Sequence, residues 1–366
     1  MKTYRIGIIG FAHAHVHDAV RTFKGLGDRV EFVAAADVEP LVETVNKTHG
    51  TRSWNIEQVL TGLDLHDKYY GYDWRKLLAE EDLDIVLVNC ENLFHVDVSV
   101  AALEKDLIVV MEKPFATNLA DAQKIRRAVE RSKGEMILNY PSSWWAQVRR
   151  AKELVAEGAI GRVLKFTYRN IDSEGPFSHG DDVPEDERIF EWWYQRKPGG
   201  GAFLDYCCYG ANLATWFLDD KAEAAYALRG NFNSQYGEVE DYATITVKYP
   251  NAVAILEGTW SSVASGIPHG PIVYGTEGTL VVKPDCIEIH RERYKLEPTE
   301  VITDAVMPEG RTNLAEEVLH HLDTGDAIHP TLELYLNMDA MAILDAGLRS
   351  CESGCMEPIH NATYNG

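Results

Sequence analysis

The chain is short of basic residues: 35 Lys and Arg stand against 57 Asp and Glu in 366 residues, a formal charge of −22. That deficit disfavours nucleic acid and anionic membranes as partners, since either would be repelled at long range. No apolar run approaches the roughly 20 residues of a membrane span, and the N-terminus enters a strand without a charged-then-apolar leader, so the sequence predicts a cytoplasmic protein. Six cysteines, Cys90, Cys207, Cys208, Cys286, Cys351 and Cys355, form no CxxC pair and no framework spacing. They are expected as reduced, mostly buried thiols. There is no internal repeat and no low-complexity tract. The length predicts about two domains, and 45% hydrophobic residues suffice for their cores.

What is present starts at Tyr4 to His17, YRIGIIGFAHAHVH. Tyr4 to Ile9 reads as a buried strand, Gly10 to Ala12 break the run, and a helical pattern begins near Ala14. A strand, a tight turn of small residues and a helix suit a dinucleotide. Gly10 lets the chain reverse, Ala12 lets the backbone approach a pyrophosphate, and the helix N-terminus offers N–H groups to its charge. Phe11 and His13 share this loop. Against GxGxxG, Gly10 fills the first position, Ala12 the second and His15 the third. The same residues admit another chemistry. His13, His15 and His17 alternate, and an HxH pair closing the first strand of a (β/α)₈ barrel can hold a divalent ion.

Val30 to Ala36 is a second buried strand ending in Asp37. An acid there can accept hydrogen bonds from the adenosine ribose and would repel a 2′-phosphate, favouring NAD over NADP; helix capping before Glu39 and Pro40 explains the residue by itself equally well. Thr51 to Tyr72 reads as a variable stretch with a surface loop at Asp64 to Asp67. Helices over 74–80, 95–105 and 118–133 and strands over 84–89, 107–111 and 135–139 complete a doubly wound parallel sheet. The alternation stops near residue 140, short of the eight units of a barrel. Strands over 163–171, 224–231, 241–249, 252–259, 271–274, 279–283 and 286–290 then follow mostly without helices. They predict an α+β region with a large, mostly antiparallel open sheet whose exposed face can pair with another subunit. Two closing helices span 313–324 and 331–351. The division expected is residues 1–140 for the dinucleotide and 141–366 for substrate and oligomer contacts, with the closing helices packing back on the first part.

Ligands bind beyond the carboxyl ends of the strands in an open parallel sheet. The Gly10 turn, Asp37, the Asn89 to His95 segment, Glu112 and Lys113 all fall there. Lys113 beside a nicotinamide could polarise a substrate hydroxyl or carbonyl, and partial burial is expected to lower its pKa toward proton transfer; a surface lysine in a turn is the plain alternative. The second candidate is Gly199 to Trp216, GGGAFLDYCCYGANLATW. After the glycines, 202–218 reads as a mostly apolar helix with Asp205, Tyr209 and Asn212 on one face. A buried polar stripe needs partners, either a substrate with several hydroxyls or hydrogen bonds to the sheet. Trp192 and Trp193 could stack on a sugar ring or pack in the core.

Together GIIGFAHAH, Asp37, Glu112-Lys113-Pro114, GGGAFLD with Asp205, YGTEGTL and the final helices resemble the Gfo/Idh/MocA oxidoreductase family, named for glucose-fructose oxidoreductase and inositol dehydrogenase. The resemblance covers nearly the whole chain. It implies an N-terminal Rossmann domain, a C-terminal domain whose open sheet forms a homodimer or homotetramer, a nicotinamide cofactor, and a sugar, polyol or inositol-like substrate. Lys113 matches the lysine of the family's EKP, and Asp205 opens its DxGxHxxD pattern. Cys207, Tyr209 and Asn212 stand where that pattern has glycine, histidine and the last aspartate. Pro141, Ser142 and Ser143 replace an arginine that often follows the sixth strand. The implied reaction is hydride transfer between a secondary alcohol and NAD. Tyr209 would exchange the proton, Lys113 would stabilise the alkoxide and hold Tyr209 acidic, and Asp205 and Asn212 would orient the substrate. Three alternatives stay open: a metal hydrolase on His13, His15 and His17, an NAD-assisted lyase or glycosidase, and a non-catalytic nucleotide sensor. Substrate choice is expected in Ile171 to Tyr194, whose Asp172, Glu174, Asp181, Asp182, Glu185, Asp186, Glu187 and Arg188 suggest a hydroxyl-rich ligand.

Overall fold

A computed structural model describes residues 2–171, 175–177, 183–184, 186–234, 237–263 and 267–360. Five strands, β1 (Tyr4–Ile9), β2 (Val30–Ala36), β3 (Ile85–Val88), β4 (Ile108–Glu112) and β5 (Glu135–Asn139), form a parallel sheet in the order β2-β1-β3-β4-β5. Their near-continuous apolar runs are buried on both faces, as a sheet covered by helices on each side requires. The order reverses between β1 and β3. At that point the His13 N–H donates to the Asn89 carbonyl across 3.2 Å and the Asn89 N–H to the Ile9 carbonyl across 3.0 Å, which sets the Gly10 turn over the end of β3.

The helices of this half are α1 (Val16–Lys24), α2 (Arg52–Leu63), α3 (Trp74–Glu80), α4 (His95–Leu103) and α5 (Leu119–Arg131). Helix α2 lies where the sequence suggested a variable stretch. Its inner face carries the buried polar residues Arg52 and Asn55 beside Val59 and Leu60, so apolar periodicity does not reveal it. After α2, Tyr69 makes an isolated parallel bridge to Ala35, and the Tyr70 N–H donates to the Ala35 carbonyl across 2.9 Å. Residues 69–70 thus run beside β2 without forming a strand.

The second half begins with α6 (Ala146–Ala156) and β6 (Val163–Ile171), followed by α7 (Ala202–Leu218). Then come β7 (Ala224–Gly230), β8 (Tyr242–Lys248), β9 (Val253–Thr259), β10 (Ile272–Gly275), β11 (Thr279–Val282), β12 (Ile287–His290) and β13 (Glu300–Ile302). Helices α8 (Leu314–Thr324) and α9 (Leu334–Ser353) and the short β14 (Glu357–Pro358) close the chain. The nine strands order as β13-β12-β11-β10-β6-β9-β8-β7-β14. All described pairings are antiparallel except β6 with β9. Helix α7 lies across β6, β9 and β8, while α9 packs on α7, β7 and α5, so it wedges between the two sheets. Helix α8 packs against α1 and joins the apolar layer on the far face of the parallel sheet. No helix among the described residues is long and apolar enough to cross a membrane.

Candidate active site

Gly10 has φ of +97°, and a Cβ there would overlap the backbone of Cys90. Only glycine serves, and the tight turn it permits carries Phe11, Ala12 and His13 across the ends of β1 and β3. Asp37, at the tip of β2, is fully buried. Its Oδ1 accepts the Val38 N–H (2.8 Å) and the Phe11 N–H (3.3 Å), and its Oδ2 accepts from Arg52 (2.6 Å). Arg52 also pairs with Glu91 just beyond β3. Burial opposes the Arg52 charge, yet the two carboxylates outweigh it and hold the guanidinium above its ordinary value. Burial raises Glu91, and Arg52 offsets only part of that rise. Asn55 supports the turn from α2 by donating to the Phe11 carbonyl across 2.9 Å. Glu91 falls within the expected Asn89 to His95 segment, but its partner Arg52 was not expected from the sequence, because it lies in the stretch that gave no helical signal.

At the end of β4, Glu112 and Lys113 are both buried, and the Lys113–Pro114 bond is cis. Lys113 Nζ pairs with the Asp205 carboxylate on the first turn of α7 and lies 5.1 Å over the Tyr209 ring. The second Asp205 oxygen accepts from Trp260 Nε1 across 3.3 Å, a contact no sequence pattern announced. Burial by itself would lower the lysine, but Asp205, with Cys208 and Glu112 beyond it, reverses the sign and holds the ammonium above its ordinary value. This corrects the expected lowering of Lys113: the pair with Asp205 favours its ammonium form. Tyr209 is corrected likewise. Burial, with Glu112, Cys208 and Asp205 adding to it, pushes the phenol well above its ordinary value. Lys113 therefore does not make Tyr209 acidic, because its charge is answered by Asp205.

Glu112 accepts from Asn139 Nδ2 (3.2 Å) and lies 3.0 Å from His15 Nδ1. Burial would raise it, yet His15 and Lys113 hold it below its ordinary value. His13 is buried against Trp193, ring centroids 4.7 Å apart, and its Nε2 makes no hydrogen bond. Burial, with His15, Lys113 and His95 adding to it, keeps its ring well below its ordinary value, so it is neutral. Burial also pushes His95 down to about 4. Its Nδ1 lies 2.9 Å from the Pro114 carbonyl, so it braces the Lys113 turn. Asn92 donates to the Gly199 carbonyl across 2.7 Å and docks the glycine loop that leads into α7.

Three expected roles fail. Asn212 is fully buried, donating to the Thr331 carbonyl (2.8 Å) and to Asn337 Oδ1 (2.9 Å); α7 turns this end of its polar stripe into the joint with α9, while Asp205 and Tyr209 face Lys113. Trp192 and Trp193 stack on each other at 3.9 Å, and Trp192 Nε1 donates to the Ala12 carbonyl across 2.9 Å. Both are buried in a small apolar cluster that covers the Gly10 turn, which leaves no free ring face for a sugar. His17 Nε2 is bound to Asn55 across 2.9 Å and does not join His13 and His15. Of the expected substrate segment, Asp172, Glu174, Asp181, Asp182 and Glu185 lie outside the described residues.

Residues 4–140 match the family model described as "Oxidoreductase family, NAD-binding Rossmann fold", and 148–281 match the GFO/IDH/MocA C-terminal domain. Among curated proteins, the trans-1,2-dihydrobenzene-1,2-diol dehydrogenase of Xenopus laevis is 24% identical over 69% of this chain and 71% of its own length. The levoglucosan dehydrogenase of Pseudarthrobacter phenanthrenivorans is 24% identical over 57% of each. Among solved structures, an oxidoreductase of Thermotoga maritima superposes with a TM-score of 0.77 at 19% identity, over 97% of this chain and 100% of that one. The two family matches between them span most of the chain, and they meet at the buried lysine–aspartate pair that joins β4 to α7. The chain belongs to the Gfo/Idh/MocA family of NAD-binding oxidoreductases.

Proposed function

We propose that the protein is an NAD-linked dehydrogenase that oxidises a secondary alcohol, or reduces the matching carbonyl, of a sugar, polyol or inositol-like substrate. The observation that carries this reading is the Lys113–Asp205 pair beside the Tyr209 ring, at the carboxyl end of a parallel sheet and next to the Gly10 turn. The crevice fits a dinucleotide in the chemistry it offers: buried polar atoms without hydrogen-bond partners, His13 Nε2, Asn92 Oδ1 and His95 Nε2, cluster at the ends of β1 and β3. Gly10 to His13 would hold the pyrophosphate, Asn89, His95, Glu112 and Lys113 would border the nicotinamide, and Asp37, buried with both oxygens bonded, would lie behind the adenosine ribose and act on it through charge. The bound cofactor supplies the hydride acceptor or donor. Asp37, Arg52 and Glu91 sum to one negative charge, which favours NAD over the 2′-phosphate of NADP.

This chain's residues divide the remaining work. Lys113, fixed as a cation, stabilises negative charge on the substrate oxygen. In reduction Tyr209, a phenol, gives its proton to that oxygen as negative charge develops there; in oxidation the same side chain, as tyrosinate beside Lys113, takes the alcohol proton. Asp205 positions Lys113, and Trp260 positions Asp205. Apolar Leu164, Tyr226, Leu228 and Val253 are exposed on the second sheet, which supports a homodimer or homotetramer through it. The test is titration with NADH and then NADPH, followed by tryptophan quenching. NADH is expected to bind about tenfold or more tightly, some 1.4 kcal/mol. Failure of both to bind removes the dehydrogenase reading.

A further inference from the structure

Glu112 Oε1 is a shared point. His15 Nδ1 lies 3.0 Å from it and His13 Nε2 3.9 Å, and the three atoms fall within 4.8 Å of one another. Among the described residues no other three histidine, cysteine or carboxylate side chains gather this closely. The frame is rigid: His13 is tied to β3 through the Asn89 carbonyl, and Glu112 ends a central strand. His13 is 5% exposed, and its Nε2, aimed toward Glu112, has no hydrogen-bond partner. An orphaned polar atom of this kind costs about 1–3 kcal/mol unless something answers it.

We propose that His13 Nε2, His15 Nδ1 and Glu112 Oε1 form a binding site for a divalent cation of the zinc class. Two imidazoles and one carboxylate are the donor set of an open zinc site, whereas magnesium and calcium call for oxygens. The His15 side chain is 30% exposed, so a further position reaches solvent. Asn139 holds the other oxygen of Glu112, leaving Oε1 to the ion, as a supporting hydrogen bond does in metal sites. The protons balance. His13 Nδ1 accepts the His15 N–H across 3.1 Å, so the neutral ring carries its proton on Nε2, while His15 presents Nδ1–H to Glu112. On binding, each proton passes to the other ring nitrogen, and the His15 N–H gives up His13. His17, committed to Asn55, takes no part. The site exists independently of the dehydrogenase reading; only its use as a Lewis acid on the substrate oxygen, beside Lys113, rests on that reading.

The test is metal content of the full-length protein after stripping with chelator and reloading with Zn²⁺ or Co²⁺. About one ion per chain is expected, with visible cobalt bands, and His13→Gln or Glu112→Gln should weaken binding at least about 100-fold while His17→Gln leaves it unchanged. His15→Cys should keep the ion and add a thiolate-to-cobalt charge-transfer band, which stays readable if another variant fails to fold. Less than about 0.1 ion per chain, or equal affinity in the His13 and Glu112 variants, overturns the site. NADH titration of the same samples separates the two ideas. Metal without NADH keeps the site and removes the dehydrogenase, and NADH without metal does the reverse.

Discussion

Asp37 and Asp205 are both buried carboxylates near the carboxyl ends of the parallel strands, and each faces one cation. The Asp37 carboxylate is itself fully bonded: two backbone N–H groups take Oδ1 and Arg52 takes Oδ2, while Arg52 also pairs with Glu91, whose Oε2 accepts no hydrogen bond. Around Asp205 the accounts stay open. Lys113 has one carboxylate, looks onto the Tyr209 ring, and is bordered by His13 and His95 nitrogens with no partner. A cation shared by two acids is committed to holding the chain together, whereas a cation with one acid retains donor capacity for a ligand. By this contrast the Arg52 cluster is wall and the Lys113 cluster is machinery.

Breaking the Lys113 cluster should therefore cost most in turnover. Lys113→Ala is expected to lower kcat by about 10²- to 10³-fold on whichever sugar or polyol is turned over, the weight of one fixed donor to the developing negative charge. It also strands Asp205, so Lys113→Ala with Asp205→Ala should be more stable than Lys113→Ala alone in denaturant unfolding. Loss of kcat below threefold would take Lys113 out of the reaction. Arg52→Met should act on folding instead, costing about 3–5 kcal/mol, because it leaves Asp37 and Glu91 buried without a counter-charge. If this variant folds normally but loses NADH, the Arg52 cluster is binding machinery after all and the contrast fails.

Glu191 sharpens the same comparison from the edge of the Arg52 cluster. Burial pushes its carboxyl up to about 7 from 4.5, with Asn46 and Arg52 softening the rise. Between those values the folded chain keeps the proton while the unfolded chain loses it. Stability is therefore greatest below about pH 4.5 for this group and falls as pH rises to about 7, by roughly 3 kcal/mol. Glu191→Gln should remove that fall, raising the unfolding free energy at pH 8 and leaving it unchanged near pH 4.5. An equal effect at both pH values would mean that Glu191 is ionised in the folded chain.

The parallel strands were legible because their apolar runs are unbroken, and α7 was legible to the residue from Ala202 to Leu218. Helix α2 was hidden because its buried face carries Arg52 and Asn55, polar residues that serve the crevice and spoil the periodicity. Lys113 could be named from its place after β4, Asp205 and Tyr209 from their shared face on α7 and their roles from the family resemblance, and the fold brings them together. Their protonation could not be read, because it depends on which carboxylate faces which cation across about ninety residues of sequence, as Asp205 faces Lys113. The tryptophans misled for a related reason. A Trp pair before a glycine loop looks the same whether its rings face a sugar or, as here, each other and the Gly10 turn.

Asn212 offers the finest cut. It shares a helix with Asp205, two turns further on, but its amide joins α7 to Thr331 just before α9 and to Asn337 within it. The Thr331 carbonyl keeps a second donor in Asn337 Nδ2 at 3.0 Å, so the loss on truncation is partial. Asn212→Ala should cost about 1–3 kcal/mol in unfolding free energy and leave NADH affinity and kcat within about threefold, since those follow transition-state contacts it does not make. A kcat loss comparable to that of Lys113→Ala in a folded Asn212→Ala protein would place the amide at the substrate and extend the machinery along the whole face of α7.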